Sequence, residues 1–496
     1  MASSATRTVP SREALLDQVL AEAPIRSSWF ARYFAGVSLA TQVALDFLSV
    51  VAALVVLNAL YNRPDADQLR YPLNMVLLTA VFVSGSFVFL LERYGLYRPS
   101  SSLLQIRETE RILRSMLWST ATLAVSTYVF LSVMPSTSML VLWAVLLFGV
   151  VVVQRTAYYS VLRHLHARGY GLDRVLIYGC TPEGIDVFRK MVQSPRAGLV
   201  PVGIVDKNPA LRGQRIYESS YTRRVSLPVV GTGDELDEIL NRLQVTRIVL
   251  ADGPPTDAKY EPVFGLCEKH RVKIAFVSPE RRLVQHEVNY INLDGVMLGE
   301  IRPIRESGVY RFTKRALDLV LATLMLLVSL PVMAIVVLAI WKTDGRPALF
   351  AQERVGQFGR KFRLFKFRTM YRDAAAYAPT PRDQSDPRVT PLGRFLRRAS
   401  LDELPQLINI LRGDMSLVGP RPEMPFIVAK YTPAQQERLL AKPGLTGLWQ
   451  ISADRAFEIH ENIDYDLYYI QNRSVLLDVA ILLHTAVFAI RGAGAF

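Results

Sequence analysis

Four apolar stretches crowd the first third of the chain. Residues 37 to 60, VSLATQVALDFLSVVAALVVLNAL, and residues 72 to 91, PLNMVLLTAVFVSGSFVFLL, are each long enough to cross a bilayer. From Ser115 to Gln154 the chain carries no charge and breaks at MPSTS, which reads as two spans joined by a tight turn at Pro135. Arginines give these spans a direction. Arg7, Arg12, Arg26 and Arg32 precede the first span. Arg93, Arg98, Arg107, Arg111 and Arg114 lie between the second and third, and Arg155, Arg163, Arg168 and Arg174 follow the fourth. The other loops hold only Arg63 and Arg70, or no basic residue. Basic loops stay on the cytoplasmic side, so both ends of this four-helix unit are expected there. Asp46 lies inside the first span. No second intramembrane charge accompanies it in the pattern, so it is expected to pair within the bundle or to lie near a helix end.

The pattern then changes to short β-branched runs. RVLIYGCTPEG, LVPVGIVDKN, TRIVLAD and VKIAFVS alternate with helical stretches such as DELDEILNRL. That alternation predicts a parallel α/β domain between about residues 172 and 280. Gly179 and Gly184 stand where a dinucleotide fingerprint has its first and third glycines, but Thr181 replaces the second. The missing glycine is the one that admits the pyrophosphate. Asp206 could mimic the ribose-binding acid, yet the incomplete fingerprint favours a docking or regulatory domain with a Rossmann-like core.

A fifth uncharged stretch runs from Leu319 to Trp341. Its flanks are basic on both sides, with Arg311, Lys314 and Arg315 before it and Lys342, Arg346 and Arg354 after it. A crossing helix should show asymmetry. Ser329 and Pro331 sit near its middle, and a proline interrupts the helical ladder. The pattern predicts a helix that enters the cytoplasmic leaflet, bends at Pro331 and returns, with Ser329 helping to satisfy a freed carbonyl. A simple kinked span is the other reading.

Composition supports this mixture. The chain has 496 residues, 50% of them hydrophobic, with mean hydropathy +0.20 despite 21% charged residues. That length implies several domains, and the mixture suggests membrane segments beside soluble ones. The net charge of +14 points to anionic lipid, nucleic acid or phosphate-bearing substrates. Two cysteines, Cys180 and Cys267, exclude a disulfide framework and a Cys-rich zinc site. The first apolar run starts too late for the core of a cleaved signal peptide.

The basic surplus concentrates downstream: residues 342 to 430 hold 17 Lys plus Arg against 9 Asp plus Glu. In KFRLFKFRTM, Lys366 and Arg368 share one face of a predicted strand, with Phe365 and Phe367 on the other. Further on, RRASLDELPQLINILRGDMSLVGPRPE places two carboxylates, Asp402 and Glu403, directly after an arginine pair. One reading is structural: Ser400 and Glu403 form a capping box, Leu401, Leu404, Leu407, Ile408 and Leu411 recur at helical spacing, and Gly413 ends the helix. The other is chemical. Arg397, Arg398 and Arg421 bracket the pair, and cations arrayed around a carboxylate lower its pKa and neutralise an approaching phosphate.

FAQERVGQFGRKFRLFKFRTM, SLDELPQLINILRGDMSLVGPRPE and KPGLTGLWQIS resemble the bacterial sugar transferases, the polyprenyl-phosphate hexose-1-phosphate transferases also called monotopic phosphoglycosyl transferases. The match covers roughly residues 308 to 496, and the upstream spans and Rossmann-like domain resemble the large members of that family. The resemblance implies that Asp402 is a nucleophile, that Glu403 supports a magnesium ion, and that Lys366, Arg397 and Arg421 hold phosphate, with Arg368 beside them. It places the bend of the re-entrant helix at Ser329 and Pro331. In the family these two residues are commonly adjacent, whereas Leu330 separates them here.

The expected architecture is a membrane α-helical bundle of four spans, a Rossmann-like α/β domain, and an α-rich monotopic catalytic domain with a re-entrant helix. Its boundaries are a cytoplasmic tail at 1–34, the transmembrane domain at 35–163, the Rossmann-like domain at 172–300, and the catalytic domain at 308–496 with its re-entrant helix at 316–341. The implied reaction moves hexose-1-phosphate from a UDP-hexose to undecaprenyl phosphate through an aspartyl-phosphosugar and releases UMP. It would start an exopolysaccharide, capsule or O-antigen at the bacterial inner membrane, with the catalytic domain facing the cytoplasm. Glucose is favoured, because large members commonly start exopolysaccharides with it, and galactose comes next. Expected partners are UDP-hexose, undecaprenyl phosphate and the inner membrane. Homodimerisation is left open, and no nucleic acid is expected.

Two rivals differ in class. A membrane-bound nucleotide-sugar dehydratase or epimerase also has four spans before a Rossmann-like domain, and Tyr310 and Lys314 have its Tyr-x-x-x-Lys spacing. That pair has no intact glycine motif upstream, so the spacing reads as chance. A non-catalytic scaffold of a polysaccharide export complex would not require Asp402.

Overall fold

A computed structural model describes residues 29–490, apart from 62–72, 98–104, 132–133, 194–197, 221–222, 254, 278–285, 295, 304–305, 375–385 and 453–462. The expected tail at 1–34 thus falls, up to residue 28, outside the described residues. The chain forms two compact units, Met1–Arg281 and Arg282–Phe496.

The first unit opens with four helices: α1 (Trp29–Tyr61), α2 (Leu73–Arg93), α3 (Gln105–Leu131) and α4 (Thr137–Ala167). Ser136 caps α4 just after Pro135, its hydroxyl accepting from the Met139 amide at 3.3 Å. Leu57, Val83, Phe87, Leu91, Trp143 and Leu147 are buried between the helices. Val55, Phe89, Val125 and Val153 face outward, as lipid-facing residues do. Among the described residues, three helical segments are long and apolar enough to cross a membrane: Tyr33–Leu60, Thr137–Ala167 and Gly308–Thr343.

Asp46 is not a lone charge. Both α3 and α4 run past the apolar stretches, so Glu108 and Arg155 come inside the bundle. Arg155 Nη2 lies 2.6 Å from Asp46 Oδ2, which also accepts from the Tyr97 hydroxyl at 2.8 Å. Glu108 lies 3.5 Å from Arg155 and accepts from the Tyr159 hydroxyl at 2.6 Å. The expected pairing within the bundle is present. Its partner is an arginine 109 positions away, which the apolar pattern alone assigns to a loop.

The same unit then forms a six-stranded sheet of order β3-β4-β2-β1-β5-β6. Its strands are β1 (Asp173–Tyr178), β2 (Leu199–Val205), β3 (Arg215–Ser220), β4 (Arg223–Gly231), β5 (Arg247–Leu250) and β6 (Lys273–Phe276). All neighbours run parallel except β3, which pairs antiparallel with β4. Helices cover both faces, as a parallel sheet requires. Leu176 packs towards α6 (Leu236–Arg242) and α7 (Glu261–His270), while Val175 and Ile177 pack with Met191 and Phe188 of α5 (Pro182–Gln193). The sheet ends at Phe276. The hairpin β7 (His286–Leu293) and β8 (Val296–Pro303) falls in the second unit.

The second unit is built on α8, a single helix from Gly308 to Thr343 that passes through Pro331. Pro331 leaves the Leu327 carbonyl without its helical donor. The Ser329 hydroxyl donates instead to the neighbouring Leu326 carbonyl at 3.1 Å, so it does not fill the gap it was expected to fill. After α8 come the hairpin β9 (Leu349–Val355) and β10 (Lys361–Phe367), α9 (Pro391–Arg398), α10 (Gln406–Arg412), the parallel pair β11 (Ser416–Val418) and β12 (Gly444–Thr446), α11 (Asp464–Asn472) and α12 (Val475–Ile490).

The bundle carries a direct test. Asp46→Ala removes the close partner of Arg155 and leaves it the longer 3.5 Å contact with Glu108, in an interior that keeps it almost dry. Losing one partner of a buried pair typically costs about 3–5 kcal/mol. The expected result is a loss of that order on denaturant unfolding in detergent, with Asp46→Ala/Arg155→Met losing less than Asp46→Ala alone.

Candidate active site

The acid pair sits where three chain segments meet. Thr390 caps α9, its hydroxyl accepting from the Gly393 amide at 2.9 Å. The chain then turns through Ser400 in the left-handed region, with φ +54, and Leu401–Glu403 form one 3-10 turn before α10 starts at Gln406. The expected capping box is therefore absent. Ser400 makes no side-chain cap, and Glu403 turns to cations instead of to a backbone amide. Gly413 does end α10, with φ +92.

Asn409 stitches α10 to the basic strand. Its side chain accepts from the Phe365 amide at 3.0 Å and donates to the Arg363 carbonyl at 2.7 Å, and it is fully buried. This clamp fixes where Lys366 points. Lys366 Nζ lies 2.7 Å from Glu403 Oε1, and Arg421 Nη2 lies 3.1 Å from the same oxygen. Arg397 holds Thr369 Oγ1 at 2.9 Å and interacts electrostatically with Asp402. Asp402 itself is 7% exposed and accepts no hydrogen bond from any described residue.

The two acids are driven apart. Burial raises the Asp402 carboxyl above its ordinary range, and the Glu403 charge adds to this against the pull of Lys366, Arg397 and Arg421. Burial acts on Glu403 too, but Lys366 and Arg421 outweigh it and hold that group at about 2. The cations pull on both carboxyls, as expected; at Glu403, which takes the direct contacts, they outweigh burial, and at Asp402 burial outweighs them. Among the described residues no group of three or more His, Cys, Asp or Glu could cage a metal. What the site offers is two adjacent carboxylates, Glu403 using one oxygen for its cations and Asp402 using none.

Arg421 is set by a second layer that the sequence did not reveal. Gly419 and Gly444 pack backbone against backbone: a Cβ at Gly444 would lie 2.1 Å from the Gly419 nitrogen. Arg438, 2% exposed, donates to the Arg421 carbonyl at 3.0 Å, to Glu423 at 2.9 Å and to Asp466 at 3.0 Å. Tyr431 hydrogen-bonds to both Glu423 and Arg438. A buried arginine with two acids far away in sequence leaves no local pattern to read.

Other expected residues go elsewhere. Arg368 lies just past β10 and donates to the carbonyls of Asp344 and Gly345 at 2.7 and 2.6 Å, so it secures the end of α8. Arg398 is exposed. Tyr310 and Lys314 meet Asp478 at 3.1 and 3.3 Å, alongside the Tyr469 hydroxyl at 2.8 Å. Their spacing reflects a buried anchor for α8.

With this geometry in place, comparison with known proteins is specific. The family described as bacterial sugar transferase matches residues 309–492, the whole of this unit's described catalytic part. A relative from Xanthomonas campestris, named UDP-glucose:undecaprenyl-phosphate glucose-1-phosphate transferase, is 30% identical over 353 residues, covering 68% of this chain and 70% of its own. The chain belongs to the bacterial sugar transferase family. Undecaprenyl-phosphate galactose phosphotransferase of Salmonella typhimurium is 36% identical over 246 residues, 46% of this chain and 52% of that one. The chain thus spans about half the length of the Salmonella relative. An Escherichia coli protein with the same name as the Xanthomonas one is 39% identical over 201 residues, 39% of this chain and 43% of its own.

Residues 92–278 of this chain match a family described as CoA-binding domain. Its glycine loop does not fit a pyrophosphate. The Cys180 amide, one of the loop donors, is taken by Asp206 at 2.7 Å, and the other Asp206 oxygen accepts from the Asn208 amide at 2.9 Å. Pro182 has no N–H to offer, and Glu183 puts an acid in the first turn of α5. Thr181 pins the loop to the Ala251 carbonyl at 2.8 Å. Asp206 therefore serves its own backbone and not a ribose. Gly184 is kept for packing, since a Cβ there would lie 2.2 Å from the Gly179 carbonyl.

Proposed function

We propose that this protein transfers a sugar-1-phosphate from a UDP-hexose to undecaprenyl phosphate, with Asp402 as covalent nucleophile. One observation carries the reading: a nearly buried carboxylate that accepts no hydrogen bond from any described residue, with Lys366, Arg397 and Arg421 acting on it electrostatically. An unsolvated carboxylate is a strong nucleophile, and the cations keep it charged while neutralising the phosphate that approaches.

In the first step an Asp402 oxygen attacks the β-phosphorus. The bond from that phosphorus to the bridging oxygen breaks, and UMP leaves with that oxygen. In the second step an undecaprenyl phosphate oxygen attacks the aspartyl-phosphosugar, and the Asp402–phosphorus bond breaks to restore the carboxylate. The two carboxylates suit a magnesium ion, which takes few protein ligands and fills its shell from substrate phosphates. Glu403 would hold it beside Asp402, and when bound it supplies shielding for the attacked phosphate. The relatives' names include both glucose and galactose enzymes. Glucose is proposed here because the relative with the widest coverage of the three cited carries that name.

The proposed membrane placement is four spans followed by a re-entrant α8, with the catalytic unit in the cytoplasm at the inner membrane. Support comes from the arginine bias and from packing along α8. Asp318 accepts from the Leu417 amide at 3.1 Å, while Val336 and Ile340 pack on Phe367 and Leu396. Both parts of the helix hold the same unit. The stretch between them, residues 319 to 335, is about 26 Å long at 1.5 Å per residue, short of a hydrocarbon core of about 30 Å.

The deciding experiment measures UMP release by full-length protein in lipid particles, with a panel of UDP-sugars and undecaprenyl phosphate. Release is expected with UDP-glucose above UDP-galactose, and Asp402→Asn should reduce it at least 10⁴-fold, in line with losing a nucleophile. Appreciable turnover by folded Asp402→Asn rejects the mechanism.

Because Asp402 must be ionised and burial raises its pKa, kcat/KM should fall as pH drops through a value above the ordinary aspartate range. Lys366→Met removes a charge that lowers that pKa, so the acid limb should move to higher pH. A limb that stays fixed in this variant argues against Asp402 as the titrating group.

Cysteines at Arg311 and Lys342, both exposed, test the topology. Neither should react with an impermeant thiol reagent applied from the periplasm. Labelling of the Lys342→Cys site from outside would mean that α8 crosses.

A further inference from the structure

Arg354 is a cation without an anion. It lies on β9, opposite Phe362 of β10 in register, on the hairpin face that also carries Lys366. Its Nη2 donates to the Gln352 side-chain oxygen at 2.8 Å, and its Nη1 makes a long 3.4 Å contact with the Pro422 carbonyl. Both partners are neutral. Its Nε is buried and has no partner at all. The nearest charges it senses are Arg421, Glu403 and Glu423. Glu403 is bound by Lys366 and Arg421, and Glu423 by Arg438. Among the described residues, no carboxylate pairs with Arg354 at contact distance.

Arg354 reaches the carbonyl of Pro422, the residue after Arg421, and the two like charges repel unless an anion offsets them. Burial and then the Arg421 charge press the Arg354 pKa down to about 10. The backbone holds the two together: the Val355 amide donates to the Glu423 carbonyl at 3.0 Å, tying β9 to the loop that carries Arg421.

We propose that Arg354 and Arg421 form a seat for a second phosphate, the one that leaves with the nucleoside when Asp402 attacks. The proposal rests on the transferase reading above. Breaking the bond between the β-phosphorus and the bridging oxygen places a second negative charge on the departing α-phosphate. Two fixed guanidiniums match that charge through their N–H groups, with no proton transferred. After UMP leaves, the same seat is open to another phosphate monoester, including the lipid acceptor's.

The test uses full-length protein in lipid particles and UMP as the probe. Binding of UMP by titration calorimetry should weaken at least tenfold in Arg354→Gln, the range for losing charged hydrogen bonds. Arg354→Lys keeps the charge but not the fork, so it should weaken less. Glu353→Gln, which alters an exposed pair with Lys361 on the opposite strand face, should bind UMP as wild type does. A parallel arm isolates the phosphosugar-enzyme and measures the KM for undecaprenyl phosphate in the second step. If Arg354→Gln raises only that KM and leaves UMP binding unchanged, the seat belongs to the lipid phosphate and the proposal is overturned. Unchanged UMP binding in Arg354→Gln and Arg354→Lys together also overturns it, whatever the turnover. Wild-type protein that neither binds nor releases UMP sinks the transferase reading itself, an outcome distinct from the other two.

Discussion

Two adjacent carboxylates in a nearly closed site cannot both be charged and both be alone. Glu403 solves this by taking two cations at once, Lys366 and Arg421 on a single oxygen. That leaves Asp402 buried, with its pKa raised and no hydrogen bond from any described residue, which suits the attack on phosphorus proposed for it. The division of labour follows from distance. Direct contact with a cation stabilises the charge of Glu403 by more than burial costs it, whereas the cations act on Asp402 without touching it and burial wins. Were the contacts shared evenly, neither acid would be both free and reactive.

That division depends on backbone features well away from the acids. A left-handed Ser400 turns the chain so that Asp402 and Glu403 diverge, instead of both entering the first turn of a helix. Asn409 sets the register of the basic strand against α10, and hence the reach of Lys366. Arg438 holds the Arg421 carbonyl from below while neutralising Glu423 and Asp466. Each of these buried polar groups is matched, so removing any one leaves a charge or donor stranded at a cost larger than the bond itself appears to contribute.

Much of this was legible in the sequence. The apolar stretches, the alternation of the parallel sheet, the acid pair, the helix stop at Gly413, and the roles of Lys366, Arg397 and Arg421 as cations near the pair could all be read from periodicity, charge and resemblance. The errors share a cause. Ser400 and Glu403 match a capping box locally, but two cations compete for Glu403 more strongly than one backbone amide does. Arg368 alternates correctly with Lys366, yet the strand stops at Phe367, so alternation no longer predicts its direction. Asp46 looked isolated because hydrophobicity marks where a helix is apolar, not where it ends. Arg155, Arg438 and Arg354 were invisible as site residues because their meaning lies in partners, present or missing, brought close only by the fold.

The helix α8 links the site to its surroundings. Tyr310, Lys314, Arg315 and Asp318 recur along its first third, and together they reach three parts of the same unit. Tyr310 and Lys314 meet Asp478 on α12, Arg315 donates to the last carbonyls of α10 at 2.7 and 2.9 Å, and Asp318 receives the β11 amide. The element that Arg315 caps is the one that follows the acid pair, and β11 leads directly to the Arg421 loop. A helix held this way cannot move independently of Asp402. On the proposed membrane placement, the depth at which the apolar middle of α8 settles therefore also fixes the height of the nucleophile. A lipid phosphate confined to the headgroup layer can meet it only if that height is right. On the proposed function, the polar face of α8 would thus help the site meet the lipid phosphate, although none of its residues would need to touch it.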